Sequence, residues 1–271
     1  MGGMTAPSTT GLPDLRPVLA GQRRPLVFAT VSGAHLYGFP SRDSDIDVRG
    51  AHLLPVEDLI GLREGEETFS RMWDRGAFGL AAEMDLVTHD LRKFARLMLR
   101  RNGYVLEQLL SPLVVHTTAA HAELTALAPL VLTRHHAHHY RGFAATQWRL
   151  YERTGELKPL LYTFRALLTG IHLMRTGEIC AHLPTLLGRV AEAPGYLAEL
   201  IEAKAAAEHA PVPASEAPDA DRLRADTEAL HTVLAGARDA SALPDRPGGH
   251  DALHDLVVRV RKAAGRPTAQ T

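Results

Sequence analysis

The chain has 271 residues, enough for one large domain or two that pack together, and its 45% hydrophobic and 23% charged residues are an ordinary globular composition that excludes wholesale disorder. Thirty Lys and Arg against 31 Asp and Glu leave a formal charge of −1, which excludes indiscriminate coating of nucleic acid while allowing a local basic groove. A single cysteine, Cys180, excludes an internal disulfide and a cysteine-based zinc finger; no apolar run approaches the roughly 20 residues of a membrane helix, and a soluble cytoplasmic protein is expected.

Residues 1–24 carry Gly, Pro, Ser and Thr without periodicity and are expected to be a flexible start. From Leu26 to Val31 the chain reads as a short buried strand that stops at Ser32-Gly33. A compact turn, His35 to Ser41, leads to a second strand, Asp45 to Ala51, whose alternating polar and apolar residues mark a sheet with two different faces. Residues 56–80 are ambiguous, with room for a short helix and a hairpin. A third strand, Met84 to Thr88, runs into a helix that Asp90 caps, with Leu91, Phe94, Leu97 and Met98 on one face. After that the strand signals stop. Helical spacing of apolar residues recurs over 103–110, 119–132, 134–154, 159–176, 184–205, 219–237 and 250–264, with Pro211 to Pro218 an exposed connection. The chain is thus expected to have an α/β front and an all-helical back.

The sharpest chemical feature is Asp45-Ile46-Asp47. Residues two apart on a strand share a face, so both carboxylates point one way while Ile46 turns into the core. Paired hard oxygen donors suit magnesium, or manganese, together with substrate phosphates. Gly33 ends one strand and opens a short helix, so its backbone N–H and that of Ala34 are placed to meet a phosphate. Asp85 on the third strand is a candidate third carboxylate, with Glu83 on the same face as its competitor. Lys158, Tyr162 and Arg165 fall at i, i+4 and i+7 of one helix; they read either as contacts to triphosphate and base or as a solvated basic face with Tyr162 half-buried. Arg49 either steadies a carboxylate or touches phosphate. His135, His136, His138 and His139 lack a companion carboxylate or cysteine at a metal-site spacing, which favours surface or interdomain histidines. Asn102 and Glu107 read as a polar tether at the junction of the two halves.

Ser32 to Phe39 followed by Ser41 to Gly50 resembles the nucleotidyltransferase signature of the DNA polymerase beta superfamily. More narrowly, it is similar to the RlaP-like predicted nucleotidyltransferases, the RNA repair pathway DNA polymerase beta family. The resemblance extends through Asp85, Leu91 to Leu97, Asn102, Val105-Leu106-Glu107 and Leu109 to Pro112, and more loosely through Lys158 to Leu168, covering roughly residues 25–262. It implies an α+β fold: a small mixed-sheet nucleotidyltransferase domain (25–115) followed by an all-helical domain (116–265) that closes over the nucleotide, with 266–271 a tail. It implies a nucleotidyltransferase that binds a nucleoside triphosphate such as ATP, transfers the nucleoside monophosphate to a hydroxyl, an RNA end by the family's description, and releases pyrophosphate. Asp45 and Asp47 would hold Mg2+ or Mn2+; Asp85 would join one ion and help deprotonate the acceptor. Gly33, Ala34, Ser44, Lys158, Tyr162 and Arg165 would contact the nucleotide. The superfamily usually has Gly-Ser where this chain has Gly33-Ala34. The N–H groups survive that change and the hydroxyl does not, so Ser32 or Ser44 would serve instead, or the chain is a nucleotide- or RNA-binding module with weakened catalysis.

Overall fold

The computed structural model describes residues 12–60, 62, 65–205 and 218–264. Its sheet has five strands: β1 (Leu26–Val31), β2 (Ile46–His52), β3 (Thr68–Trp73), β4 (Met84–Asp90) and β5 (Val114–His116), in the spatial order β3-β4-β2-β1-β5. β2 and β4 run parallel, and the other neighbours are antiparallel, so the sheet is mixed. This is the α+β architecture expected, a small mixed sheet followed by helices.

Alternation along β2 and β4 decides what lies on each face. Ile46, Val48, Met84 and Leu86 bury one face beneath Leu15, at the N-cap of α1 (Arg16–Ala20), and Val18 and Leu19 within it. The other face presents Phe28 and Ala51 to Leu91, Phe94 and Met98 of α4 (Leu91–Met98) and Leu106 of α5 (Gly103–Leu109), after two shorter helices, α2 (Gly33–Tyr37) and α3 (Glu57–Ile60). The same core continues without a break into α6 (Ala119–Val131), α7 (His136–Thr154), α8 (Leu157–Thr176), α9 (Leu183–Leu187), α10 (Leu197–Lys204), α11 (Ala220–Asp239) and α12 (His250–Ala264). α8 is the axis of this helical region. Nearly every residue from Leu157 to Met174 is buried, as expected of a helix that is apolar all round. Gly170 lets α7 and α11 close on it: a Cβ there would stand 3.0 Å from Tyr140 Cβ and from Leu234 Cδ1.

Three readings of the sequence need correction, and one open stretch takes a definite form. Residues 12–24, expected to be part of a flexible start, contain helix α1. There Leu15, Val18 and Leu19 form an i, i+3, i+4 apolar face that covers the sheet, and Asp14 Oδ1 accepts from the Arg16 N–H (3.0 Å) to start α1. The ambiguous 56–80 region supplies edge strand β3, paired antiparallel with β4 from Thr68↔His89 to Trp73↔Met84. β5 has only three residues and no pattern of its own; it exists because β1 offers a free edge. The helix expected over 184–205 is two, α9 and α10, separated by Pro194-Gly195. Residues 1–11, most of the Pro211 to Pro218 connection and the 266–271 tail lie outside the described residues.

α12 is tied back to the sheet through Asp90. This fully buried carboxylate accepts from Arg92 N–H (2.9 Å) as the α4 cap, from Leu54 N–H (3.0 Å), and from Arg261 Nη2 on both oxygens (3.0 and 2.9 Å). Among the described residues, no helix is long and apolar enough to cross a membrane.

Candidate active site

The parallel pairing of β2 with β4 sets Asp47 directly opposite Asp85, with both side chains on the face that α5 covers only partly. Asp45 lies one residue before β2 and is exposed, at the mouth of the same face. Glu83 is also exposed; its backbone carbonyl accepts from the Ile46 N–H (2.8 Å), which extends the ladder. Of the two acids considered on the third strand, Asp85 is therefore the one in register with Asp47.

Arg49, two residues beyond Asp47 and so on the same face, joins the pair. Its Nη2 donates to Asp47 Oδ1 (2.7 Å) and Asp85 Oδ2 (3.0 Å). Nη1 donates to the carbonyls of Val48 and Asp85, each at 3.0 Å, and Nε to the Tyr104 hydroxyl at 3.3 Å. Burial pushes the Asp47 carboxyl above its ordinary pKa, and Asp85 and Asp45 push the same way against the pull of Arg49 and Lys158. Lys158, in the first turn of α8, is thus within electrostatic reach of the carboxylates.

Gly33 closes the site from the β1 side. Ser32 N–H donates to the Asp47 carbonyl (2.8 Å), which brings the turn onto the strand. Gly33 then takes φ +62°, and a Cβ at this position would stand 1.9 Å from Asp47 Oδ2. Only glycine satisfies both the left-handed backbone and this approach. Ala34 is buried in the first turn of α2. Ser32 Oγ is fully buried and has no hydrogen-bond partner among the described residues. Ser44 Oγ accepts from Ser41 N–H (2.9 Å) and lies 2.8 Å from Ser41 Oγ, so it builds the turn before β2.

The three helical candidates separate. Lys158, half-buried in the first turn of α8, is the one whose charge acts on Asp47. Tyr162 is half-buried, edge-on to Tyr37 (centroids 5.3 Å apart) and Phe39 (5.5 Å). Arg165 is buried: Nη1 donates to Glu107 Oε1 at 2.8 Å, and its guanidinium lies 3.9 Å from the Tyr37 ring centroid. This places Arg165 beneath the aromatic layer with Glu107, and not on an exposed basic face. Asn102 accepts from Tyr104 N–H (3.1 Å) and caps α5.

Of the two alternatives for Arg49, the contacts are those of a residue that steadies carboxylates, on Asp47 and Asp85 together. Tyr104 was not singled out by pattern and had no local signal, since its contact with Arg49 needs α5 to fold back over β2. The histidines do not converge as a set of four: His136 is buried, the His135 and His138 rings stack with centroids 5.9 Å apart, and His135 Nε2 lies 3.6 Å from Asp245. Among the described residues, no group of three or more His, Cys, Asp or Glu is gathered closely enough to hold a metal ion by itself. The carboxylate pair nevertheless fits a cation. Both acids reach one guanidinium nitrogen within 3.0 Å, and two carboxylates completed by substrate phosphates are a usual magnesium donor set.

The chain is similar to the uncharacterized protein MJ0002 of Methanocaldococcus jannaschii, at 31% identity over 158 residues; the match covers 56% of this chain and 61% of that protein. A family model described as RlaP, the RNA repair pathway DNA polymerase beta family, matches residues 9–259. With a match of that extent, the chain belongs to the RlaP family, a DNA polymerase beta-like nucleotidyltransferase family of RNA repair.

Proposed function

We propose that this protein transfers a nucleoside monophosphate from a nucleoside triphosphate to a hydroxyl acceptor, with an RNA end as that acceptor. The observation that carries this reading is the register pairing of Asp47 with Asp85 around the Arg49 guanidinium, at the foot of the Gly33 turn. Family membership supports the reaction class.

In this reading Asp47 and Asp85, joined by Asp45 and completed by the triphosphate oxygens, would hold Mg2+ or Mn2+, which would supply charge neutralisation at the reacting phosphate. The protein's own work is positioning. The Gly33 and Ala34 N–H groups meet the triphosphate from one side and Lys158 meets it from the other. Tyr162 offers an aromatic edge to the base or ribose. Arg165 acts from beneath, holding Tyr37 against Tyr162. Ser44 keeps the turn that delivers Asp45. Asp85 takes the acceptor hydroxyl's proton as that oxygen bonds to the α-phosphorus; the bond from the α-phosphorus to the α,β-bridging oxygen breaks, and pyrophosphate leaves with that oxygen and the electron pair.

The test is label transfer from α-32P nucleoside triphosphates with magnesium, offered RNA and protein acceptors separately, using wild type and Asp47→Ala. Transfer to RNA by wild type, lost at least about 100-fold in the variant, is expected for a residue of the reacting centre. Asp47-dependent nucleotide binding without transfer would instead identify a binding module, as Ala34 in place of serine would suggest. Equal labelling by both proteins would overturn the site.

A further inference from the structure

Arg49 is held in a way that a surface ion pair is not. Its side chain is 12% exposed, and three of its nitrogens have fixed partners: two backbone carbonyls on Nη1, the Tyr104 hydroxyl on Nε, and the two carboxylates on Nη2. The carbonyl bonds come from β2 and β4 themselves, so the guanidinium is pinned to the ladder that presents the acids. A partly buried pair of carboxylates repel one another unless a positive charge stands between them, and here the chain supplies that charge two residues from one of them. The oxygens it occupies, Asp47 Oδ1 and Asp85 Oδ2, are among those a divalent cation would seek.

We propose that Arg49 is the resident cation of the Asp47–Asp85 pair, and that a divalent cation binds these carboxylates only in competition with it. The affinity of the nucleotide-free protein for metal is then set by the guanidinium as much as by the acids. The arrangement favours loading with nucleotide present, because phosphate oxygens give the fork of an arginine new acceptors as the carboxylates turn to the incoming ion. A role confined to orienting the carboxylates makes the opposite prediction, since disordering the acids would weaken metal binding. This inference rests on the proposed reading of the site as a metal-dependent transferase centre.

The experiment uses Mn2+ as probe, titrated into the full chain without nucleotide and followed by the electron paramagnetic resonance signal of the free ion. Arg49→Gln removes one positive charge within contact of both acids and is expected to tighten Mn2+ about tenfold. Tyr104→Phe removes the acceptor from Nε at an exposed side chain, loosens the guanidinium without altering its charge, and is expected to tighten Mn2+ by about threefold. This second variant keeps the test decisive if Arg49→Gln does not fold. A non-hydrolysable nucleoside triphosphate is expected to narrow the gap between wild type and both variants. Mn2+ binding that requires Asp47 but is unchanged or weaker in Arg49→Gln and Tyr104→Phe would overturn the competition while leaving the transferase reading intact. Failure of Asp47 to matter to Mn2+ binding, with or without nucleotide, would overturn both.

Discussion

Gly33 concentrates two constraints in one residue. Its left-handed backbone would cost an alanine about 1–2 kcal/mol, and the added methyl would collide with the Asp47 carboxylate. The first cost falls on stability and the second on the site. Gly33→Ala is therefore expected to lower unfolding stability by about 1–3 kcal/mol in urea yet to abolish label transfer, because Asp47 must move for the methyl to fit. Wild-type transfer in a stably folded Gly33→Ala protein would show that the close approach of turn and carboxylate is not needed. Nearby Ser32 is less constrained by partners. Its hydroxyl is buried without one among the described residues, a cost that β1 tolerates at the point where the chain turns into α2.

At the scale of elements, the termini of β2 and α7 carry the histidines whose pKa values burial lowers most. His52 ends β2 with Nδ1 2.8 Å from Thr88 Oγ1, and burial lowers its pKa to about 4; the Arg24 charge adds to that effect. His136 opens α7, accepts the Thr133 N–H at 3.1 Å, and is likewise held down to about 4 by burial. An unfolded histidine takes its proton near pH 6.5, so between about 6.5 and 4 the unfolded chain binds protons that the folded chain refuses. The stability from these groups is complete above that window and lost as pH falls through it, at up to about 1.4 kcal/mol per pH unit for each. Urea unfolding at several pH values should therefore show a shallower decline for His136→Gln than for wild type across that window, whatever its stability at pH 7. Parallel declines would mean that His136 is not kept neutral.

For the whole molecule, the decisive contact is the one that joins the sheet-bearing half to the helices. Glu107 on α5 and Arg165 on α8 pair at 2.8 Å with side chains 1% and 3% exposed, against Tyr37 from the turn beside the carboxylates. Removing one partner leaves a buried charge alone, so Arg165→Met and Glu107→Gln are each expected to cost about 3–5 kcal/mol in guanidinium unfolding. Replacing both with apolar residues is expected to cost clearly less than the sum of the two, because neither charge is then stranded. Additive losses in that double-mutant cycle would mean the pair is not coupled. The same contact explains why the helical half bears on the site although Arg165 itself is buried: it sets the Tyr37 and Tyr162 rings from below.

Local order was enough to determine some of this. Period-2 alternation put Asp45 and Asp47 on one face and Ile46 on the other, the two-residue spacing of Arg49 from Asp47 put it beside them, and the glycine turn marked where β1 must end. Those features depend only on the geometry of a strand, which any tertiary setting preserves. What the packing decided was which faces meet solvent. Lys158, Tyr162 and Arg165 share a helix face by spacing, but α8 is surrounded, so that face runs from the site at Lys158 into the core at Arg165. The all-round apolar sequence of that helix was the available sign. The pairing of Asp47 with Asp85, the ordering of α1 and the existence of β5 all required strands distant in sequence to choose their neighbours. Such choices are made by long-range burial and hydrogen bonding, which no local pattern encodes.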